Sequence, residues 1–336
     1  VLGMKVFDNI IGHDKIIENM MKSVELGKIS HAYILEGEPG SGKSMLAGLF
    51  AKALQCENEN QEDKPCGRCK SCLQAVSNNH PDIIKVIHEK ASIGVDDIRI
   101  QVNSDIGVKP YSSPYKIYII DDADKMTEQA QNALLKTIEE PPGYGVLLLL
   151  ASNASKLLPT ILSRCVILKL KPVSVSDIKK YLMEKHQVPD YMAEISAKFS
   201  QGNVGKAIRY ASSEEFIEGK NEVLHLLKYV DEMKTYELLE GIKRLTERKL
   251  EIYDYIDLMI LWYRDVLLFK VTNNPNLLLY REEFAFIKKD AQKSSYEGIE
   301  EVIKAMEKAK ERLRSNVNFE IAIELMLLVI KENGNG

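Results

Sequence analysis

Gly37-Glu-Pro-Gly-Ser-Gly-Lys-Ser44 brings three glycines, a lysine and a hydroxyl together in one short segment. Glycines accept left-handed backbone angles, so Gly37, Gly40 and Gly42 can turn several N–H groups toward one point, where they hold phosphate oxygens. Lys43 would then reach the outer phosphates of a nucleotide, and the Ser44 hydroxyl would be a Mg²⁺ ligand. A second segment, Ile117-Tyr-Ile-Ile-Asp121-Asp122-Ala-Asp124, ends an apolar run in carboxylates. Asp121 is placed to orient the Mg²⁺ hydration shell, and Asp122 stands where an acid activates the attacking water. The alternative for either acid is a capping or loop carboxylate.

Four of the five cysteines form a third group, Cys56-x9-Cys66-x2-Cys69-x2-Cys72. Four thiolates at this spacing suit a closed tetrahedral site for structural Zn²⁺. Lys64, Arg68 and Lys70 lie among them and favour the thiolate form. The alternatives are a redox dithiol or free thiols, but a redox site would need two of these cysteines, not four.

The elements that must position these groups are legible in the apolar pattern. His31 to Glu36 is β-rich and stops at Gly37, and Ser44 to Leu54 has helical spacing, so strand, glycine loop and helix follow in order. Further strands are expected over Asp82 to Ile87, Lys116 to Ile120, Gly145 to Ala151 and Val166 to Leu170. Alternating strands and helices, with nearly continuous apolar strands, predict a parallel α/β sheet covered on both faces. A helix is expected from Thr127, ending at Pro141-Pro142. After Pro172 the pattern becomes helical: Ser176 to His186, Asp190 to Ser200 and Gly205 to Ser212 read as short helices. From Glu214 to Lys331 nearly everything has helical spacing, and Tyr253 to Lys270, apolar around most of its circumference, is expected at the centre of a bundle. The fold class is thus α/β, a phosphate-loop domain over 1–172 with its cysteine module at 56–72. A helical lid follows over 173–213, and a helical domain over 214–336.

The 336 residues are 45% hydrophobic and 28% charged, which suits a globular protein and excludes a disordered one. Lys plus Arg number 45 against 49 Asp plus Glu, a net charge of −4, which argues against a bulk polyanion binder of the histone type. Val146 to Ala151 is the longest candidate apolar run and is strand-sized, and the N-terminus lacks a signal-peptide core. Met4 reads as the natural start, and a cytoplasmic protein without membrane partners is expected. No carboxylate cluster suits polymerase or nuclease chemistry, and the six histidines are scattered.

Further segments give a resemblance. They are the cysteine module directly after the phosphate-loop helix, Asn79-His-Pro-Asp82, Asp122-Ala-Asp-Lys-Met-Thr127 and Asn132-Ala-Leu-Leu-Lys-Thr-Ile-Glu-Glu-Pro-Pro142. Leu158-Pro-Thr-Ile-Leu-Ser-Arg-Cys165 and Trp262-Tyr-Arg-Asp265 complete the set. From about residue 5 to 330 the chain resembles the clamp-loader subunits of bacterial DNA polymerase III, which are of the AAA+ class. The Ser-Arg-Cys element with the upstream Leu-Pro-x-x-Ile/Leu is highly specific to that family. The resemblance implies that Arg164 is an arginine finger reaching into a neighbouring subunit's ATP site; the alternative for this residue is a surface ion pair. It also implies that Asn153 is the sensor of the outer phosphate or attacking water, with a turn residue as the alternative, and that Phe7 to Gly12 is the box that flanks the adenine, where Phe7 and Ile11 serve equally well as plain core. The helical domain would then be an oligomerisation collar. The implied ligands are structural Zn²⁺ and ATP or ADP with Mg²⁺. The implied partners are gamma/tau and delta subunits, the sliding clamp and, through the assembled complex, primer–template DNA. The chain would belong to the polymerase holoenzyme without a polymerase site of its own.

Two departures from the family's motor subunits stand out. Gly205, in Gly202-Asn-Val-Gly205-Lys-Ala207, falls where the lid carries an arginine. Lys206 is one residue off and so is rotated by about 100° on a helix. Asp122 stands where a glutamate is expected. Together they imply a subunit that binds nucleotide, hydrolyses it poorly and serves as a stator donating Arg164 in trans. The other reading is a gamma/tau-type motor, against which Gly205 and the lack of a Pro-rich extension after the collar both speak.

Overall fold

The computed structural model describes residues 10–213, 216–230, 232–246 and 252–334. They fall into two compact units, which divide between Ile208 and Arg209. Among the described residues no helix is long and apolar enough to cross a membrane.

The first unit is built on five parallel strands: β1 (Ala32–Glu36), β2 (Ile83–Lys85), β3 (Lys116–Ile120), β4 (Gly145–Ala151) and β5 (Val166–Lys169), in the order β2-β3-β4-β1-β5. Every residue of β3 and β4 is buried, as the apolar runs require of strands covered on both sides. Alternate side chains feed two cores. On one face Ile34, Tyr118, Ile120, Leu147 and Leu149 meet Ala130, Leu134 and Ile138 of α5 (Glu128–Glu139). On the other, Leu35, Ile119, Leu148 and Leu150 meet Leu46 and Phe50 of α2 (Lys43–Leu54) and Met20 of α1 (Asp14–Glu25).

The remaining helices of this unit are α3 (Lys70–Val76), α4 (Val95–Ile98), α6 (Pro159–Leu162), α7 (Val175–His186), α8 (Asp190–Phe199) and α9 (Val204–Ser212), the last crossing the division. Thr127 caps α5 by accepting from the Ala130 N–H, and Pro141 follows its end. The strand expected over Asp82 to Ile87 shortens to three residues. Asp82 is instead turned away to accept hydrogen bonds from the Tyr111 and Ser112 N–H groups at 2.6 and 2.9 Å, anchoring the loop that enters β3.

The second unit holds α10 (Phe216–Lys228), α11 (Thr235–Thr246), α12 (Ile252–Thr272), α13 (Phe284–Lys293), α14 (Tyr296–Arg314) and α15 (Phe319–Gly334). Helix α12 packs against α10, α11, α13 and α14, which is why its circumference is apolar. The Trp262-Tyr-Arg-Asp265 segment has a structural function here. The buried Trp262 donates Nε1–H to Asp290 at 3.0 Å, and Asp265 accepts from the Leu279 and Tyr280 N–H groups at 2.7 and 2.8 Å.

Leu148 lies in the central strand β4, fully buried against the residues that seat α2. Leu148→Ala is expected to lower unfolding stability by about 2–5 kcal/mol. Denaturant titration of the chain checks this; a loss under about 1 kcal/mol would mean that the core is not packed as described.

Candidate nucleotide and metal sites

The strand order determines where chemistry can occur. In a parallel sheet the ligand crevice lies beyond the carboxyl ends of the strands, where the order reverses. Strands β1, β4 and β3 are neighbours, so the segments leaving them meet: the glycine loop after β1, the acidic turn after β3 and the Ser152-Asn153 turn after β4.

Gly40 and Gly42 have φ of +85° and +96°, angles that a side chain would strain. Gly42 caps α2 from this left-handed position, which aims the first N–H groups of the helix into a cleft of about 350 Å³. Gly40, Gly42, Lys43, Ser44, Asp121 and Asp122 all line that cleft. The Lys43 ammonium donates to the Gly37 and Glu38 carbonyls at 2.6 and 3.0 Å. Burial lowers its pKa from the ordinary lysine value, opposed by the carboxylates of Asp121, Asp122, Asp124 and Glu38. Ser44 donates its hydroxyl proton to Asp121 at 3.0 Å. A buried ammonium, a helix N-terminus and a hydroxyl–carboxylate pair form a donor set that fits a nucleotide's phosphates with Mg²⁺.

The other acids are already engaged. Asp122 sits at φ +50° and pairs with Lys125 at 2.7 Å. Asp124 accepts from the Ser152 N–H at 3.0 Å, joining the turns after β3 and β4. Asn153, the next residue, uses Oδ1 to accept from the Ser155 N–H and hydroxyl at 2.9 and 2.7 Å. Glu36 bridges the same region, accepting from the Ala154 N–H and pairing with Lys169. Burial opposes its ionisation, but those two partners hold its carboxyl below the usual range. Asn153 and Arg164 do not line the phosphate cleft. Arg164 lies in the turn between α6 and β5, paired with Glu139 at 3.2 Å and half exposed. Phe7 lies outside the described residues, whereas Ile10 is buried.

The start of α9 closes over the loop. The Gly205 N–H donates to the Gly40 carbonyl at 2.9 Å, and Asn203 Nδ2–H donates to the Pro39 carbonyl at 2.8 Å. A Cβ at Gly205 would stand 2.8 Å from both Cα and O of Gly40, so the contact accepts no side chain. Asn203, Lys125 and Glu139 were not singled out as site residues by spacing. Only Glu139 left a signal, as one of two adjacent acids at a helix end.

Cys56, Cys66, Cys69 and Cys72 converge, with all four Sγ atoms within 4.8 Å of one another. A tetrahedral site with Zn–S near 2.3 Å would set the sulfurs about 3.8 Å apart, so the cluster can hold a metal ion with little adjustment. The N–H groups of Cys66, Cys69 and Cys72 already donate to the sulfurs of Cys56, Cys66 and Cys69 at 3.3, 3.4 and 3.4 Å. Burial pushes the Cys56 and Cys72 thiols up. Burial also opposes ionisation at Cys66, but N–H groups of Arg68 and Cys69 and the neighbouring thiols bring it down to about 6. A divalent cation among them would favour all four thiolates.

The family described as "DNA polymerase III, delta subunit" matches residues 12–174, and that described as "DNA polymerase III, delta subunit, C terminal" matches residues 214–332. The chain is 32% identical to DNA polymerase III subunit delta' of Bacillus subtilis, covering 95% of this chain and 96% of that protein. It is 29% identical to subunit tau of the same organism over 79% of this chain, spanning half of tau's length. Among solved structures, a DNA polymerase III gamma subunit-related protein of Thermotoga maritima is 17% identical at a TM-score of 0.49, covering 96% of this chain and all of that one. The end-to-end match at 32% identity, with family matches in both units, means that this chain belongs to the DNA polymerase III clamp-loader subunit family of the AAA+ class.

Proposed function

We propose that the chain is the delta-prime-type subunit of the clamp loader, a stator that donates Arg164 to a neighbouring subunit's ATP site. The observation that carries this reading is the docking of Gly205 on Gly40. Where a motor subunit's lid would present an arginine to the outer phosphate, this lid meets the loop backbone to backbone. The pairing of Asp122 with Lys125 points the same way, because the water-activating position holds a shortened acid whose charge is already met. The chain's own site binds nucleotide with Mg²⁺ through Lys43, Ser44 and Asp121 and turns it over slowly.

In this reading Arg164 spreads positive charge over a phosphoryl group in transit on the adjacent subunit, a contribution worth about 10³–10⁵ in rate for arginine fingers. The collar, 214–336, assembles the chain with tau/gamma-type and delta-type subunits. Ile321, Leu325 and Leu328, exposed on one face of α15, suit that association. The complex so formed loads the sliding clamp on primer–template DNA in the cytoplasm. The four cysteines hold a structural zinc ion. The open phosphate cleft is the observation that favours the second reading, a gamma/tau-type motor.

The isolated chain is expected to bind ATP with little turnover. Arg164→Ala is expected to leave the chain's fold and ATP binding intact while sharply depressing ATP turnover of the assembled complex. Unchanged turnover of that complex overturns the assignment. Robust turnover by the isolated chain, abolished by Lys43→Ala, establishes the motor reading instead.

Two further outcomes test the parts. Gly205→Ala is expected to destabilise the chain by about 1–3 kcal/mol, because its Cβ must displace backbone. An unchanged denaturation midpoint would show that the lid contact is dispensable. Elemental analysis of protein purified without chelator should find about one zinc per chain, and Cys72→Ser should reduce it. Metal-free protein whose thiols alkylate freely in the folded state rules the zinc site out.

A further inference from the structure

Arg164 is held before any neighbour arrives. Its own N–H donates to the Ile161 carbonyl at 3.1 Å, and the following Cys165 packs against one of the sheet's cores, so the backbone is fixed on both sides. The guanidinium is then held by groups of two kinds. Its Nη1 donates to the Thr160 carbonyl and the Ser163 hydroxyl at 3.0 and 3.3 Å, both in its own turn. Its Nη2 lies 3.2 Å from Glu139 Oε1, which comes from a different element, the end of α5.

Glu139 is poorly placed for stability. It is the last residue of α5 and is followed by Glu140, so two carboxylates stand at the negative end of the helix, where the macrodipole favours cations. Residues that break a local rule in this way tend to mark function. Both partners of the pair are exposed, with 40% and 48% of their side-chain surface in contact with solvent. An ion pair of that kind adds little to folding, but it does restrict where a long, flexible cation points.

We propose that Glu139 is a positioning residue for Arg164. By engaging one Nη2–H, it orients the guanidinium so that its remaining N–H groups face a neighbouring subunit's phosphates, and it influences turnover without touching ATP. Partial ordering in advance lowers the cost of reaching the productive geometry, which is how positioning groups remote from the reacting atoms accelerate a reaction. This inference rests on the reading of Arg164 as a finger in trans.

The test uses the assembled complex carrying Glu139→Ala, Glu139→Gln, Arg164→Ala or the Ala–Ala double variant, with steady-state ATP hydrolysis measured for each. Glu139→Ala should lower kcat about three-fold, the scale of an exposed ion pair, with KM for ATP unchanged. Glu139→Gln, which keeps an acceptor, should lose less. The double variant should match Arg164→Ala. The thermal midpoint of the Glu139 variants should be unchanged or raised, since a carboxylate leaves the wrong end of a helix. Full turnover in Glu139→Ala while Arg164→Ala is impaired would overturn the positioning role alone. An equal loss from Glu139→Ala with or without Arg164 would do the same. Full turnover in Arg164→Ala would instead remove the finger reading and this inference with it.

Discussion

One backbone hydrogen bond, from the Gly205 N–H to the Gly40 carbonyl, constrains both the phosphate loop and the lid. It requires glycine at both ends. Gly40 needs its left-handed φ, and its own Cβ would stand 2.7 Å from Asn203 Oδ1; Gly205 has the loop backbone where its Cβ would go. With the Asn203 bond to Pro39, the contact brings the first turn of α9 onto the loop that starts α2. The start of α9 is thereby joined to the phosphate-loop cleft through main-chain groups, whose geometry does not depend on a rotamer. In the proposed reading a lid that reads phosphate would need a side chain at that place, and this geometry leaves no volume for one.

The charges follow from that constraint. Lys43 is a buried cation facing three aspartates and Glu38, and of those aspartates Asp121 and Asp124 are bound to Ser44 and the Ser152 N–H, while Asp122 is neutralised by Lys125. The acidic turn therefore arrives with its carboxylates largely engaged from within. Arg164 is the opposite case: a half-exposed guanidinium at the edge of the unit, restrained by one carboxylate and its own turn. In the proposed reading, the protein's strongest catalytic cation is therefore directed outward, while its internal site is organised for binding.

Much of this was legible in the sequence, for identifiable reasons. The central strands β1, β3 and β4 are apolar runs that end at or near glycine or acid, and buried parallel strands have that pattern because both faces are covered, whereas the edge strands β2 and β5 are only partly buried. The glycine loop and the cysteine cluster are local, so spacing alone places their groups together. The helix Asp14–Glu25 was not among the elements read, although Ile17, Met20 and Val24 form its buried face. The Val95–Ile98 helix continues as a π-helical stretch through Asn103, which breaks the 3.6-residue period that a pattern search relies on. The Gly205–Gly40 contact and the Arg164–Glu139 pair depend on how loops fold back, and no periodicity encodes them; the Asp122–Lys125 pair is local, three residues apart, but depends on the turn that Asp122 starts from its positive φ. Gly205 could be noticed only as a missing arginine; what fills the space instead is a matter of backbone path.

An intact phosphate loop is usually taken as a sign of hydrolysis, but here the same residues also have a structural function. The Lys43 ammonium ties together the carbonyls of Gly37 and Glu38, and Ser44 links α2 to the end of β3 through Asp121. The loop also supplies the carbonyls that receive the lid. Replacing Lys43 would leave those part-buried carbonyls short of a donor, so the loop can persist for the sake of the fold even where turnover has been lost. In the proposed reading, what distinguishes a motor from a stator is not the loop but what reaches it from outside: a cation from the lid, an acid free to activate water, and an arginine from the next subunit. In the proposed reading this chain has Gly205 in place of the first, has the second paired with Lys125, and provides the third to its neighbour.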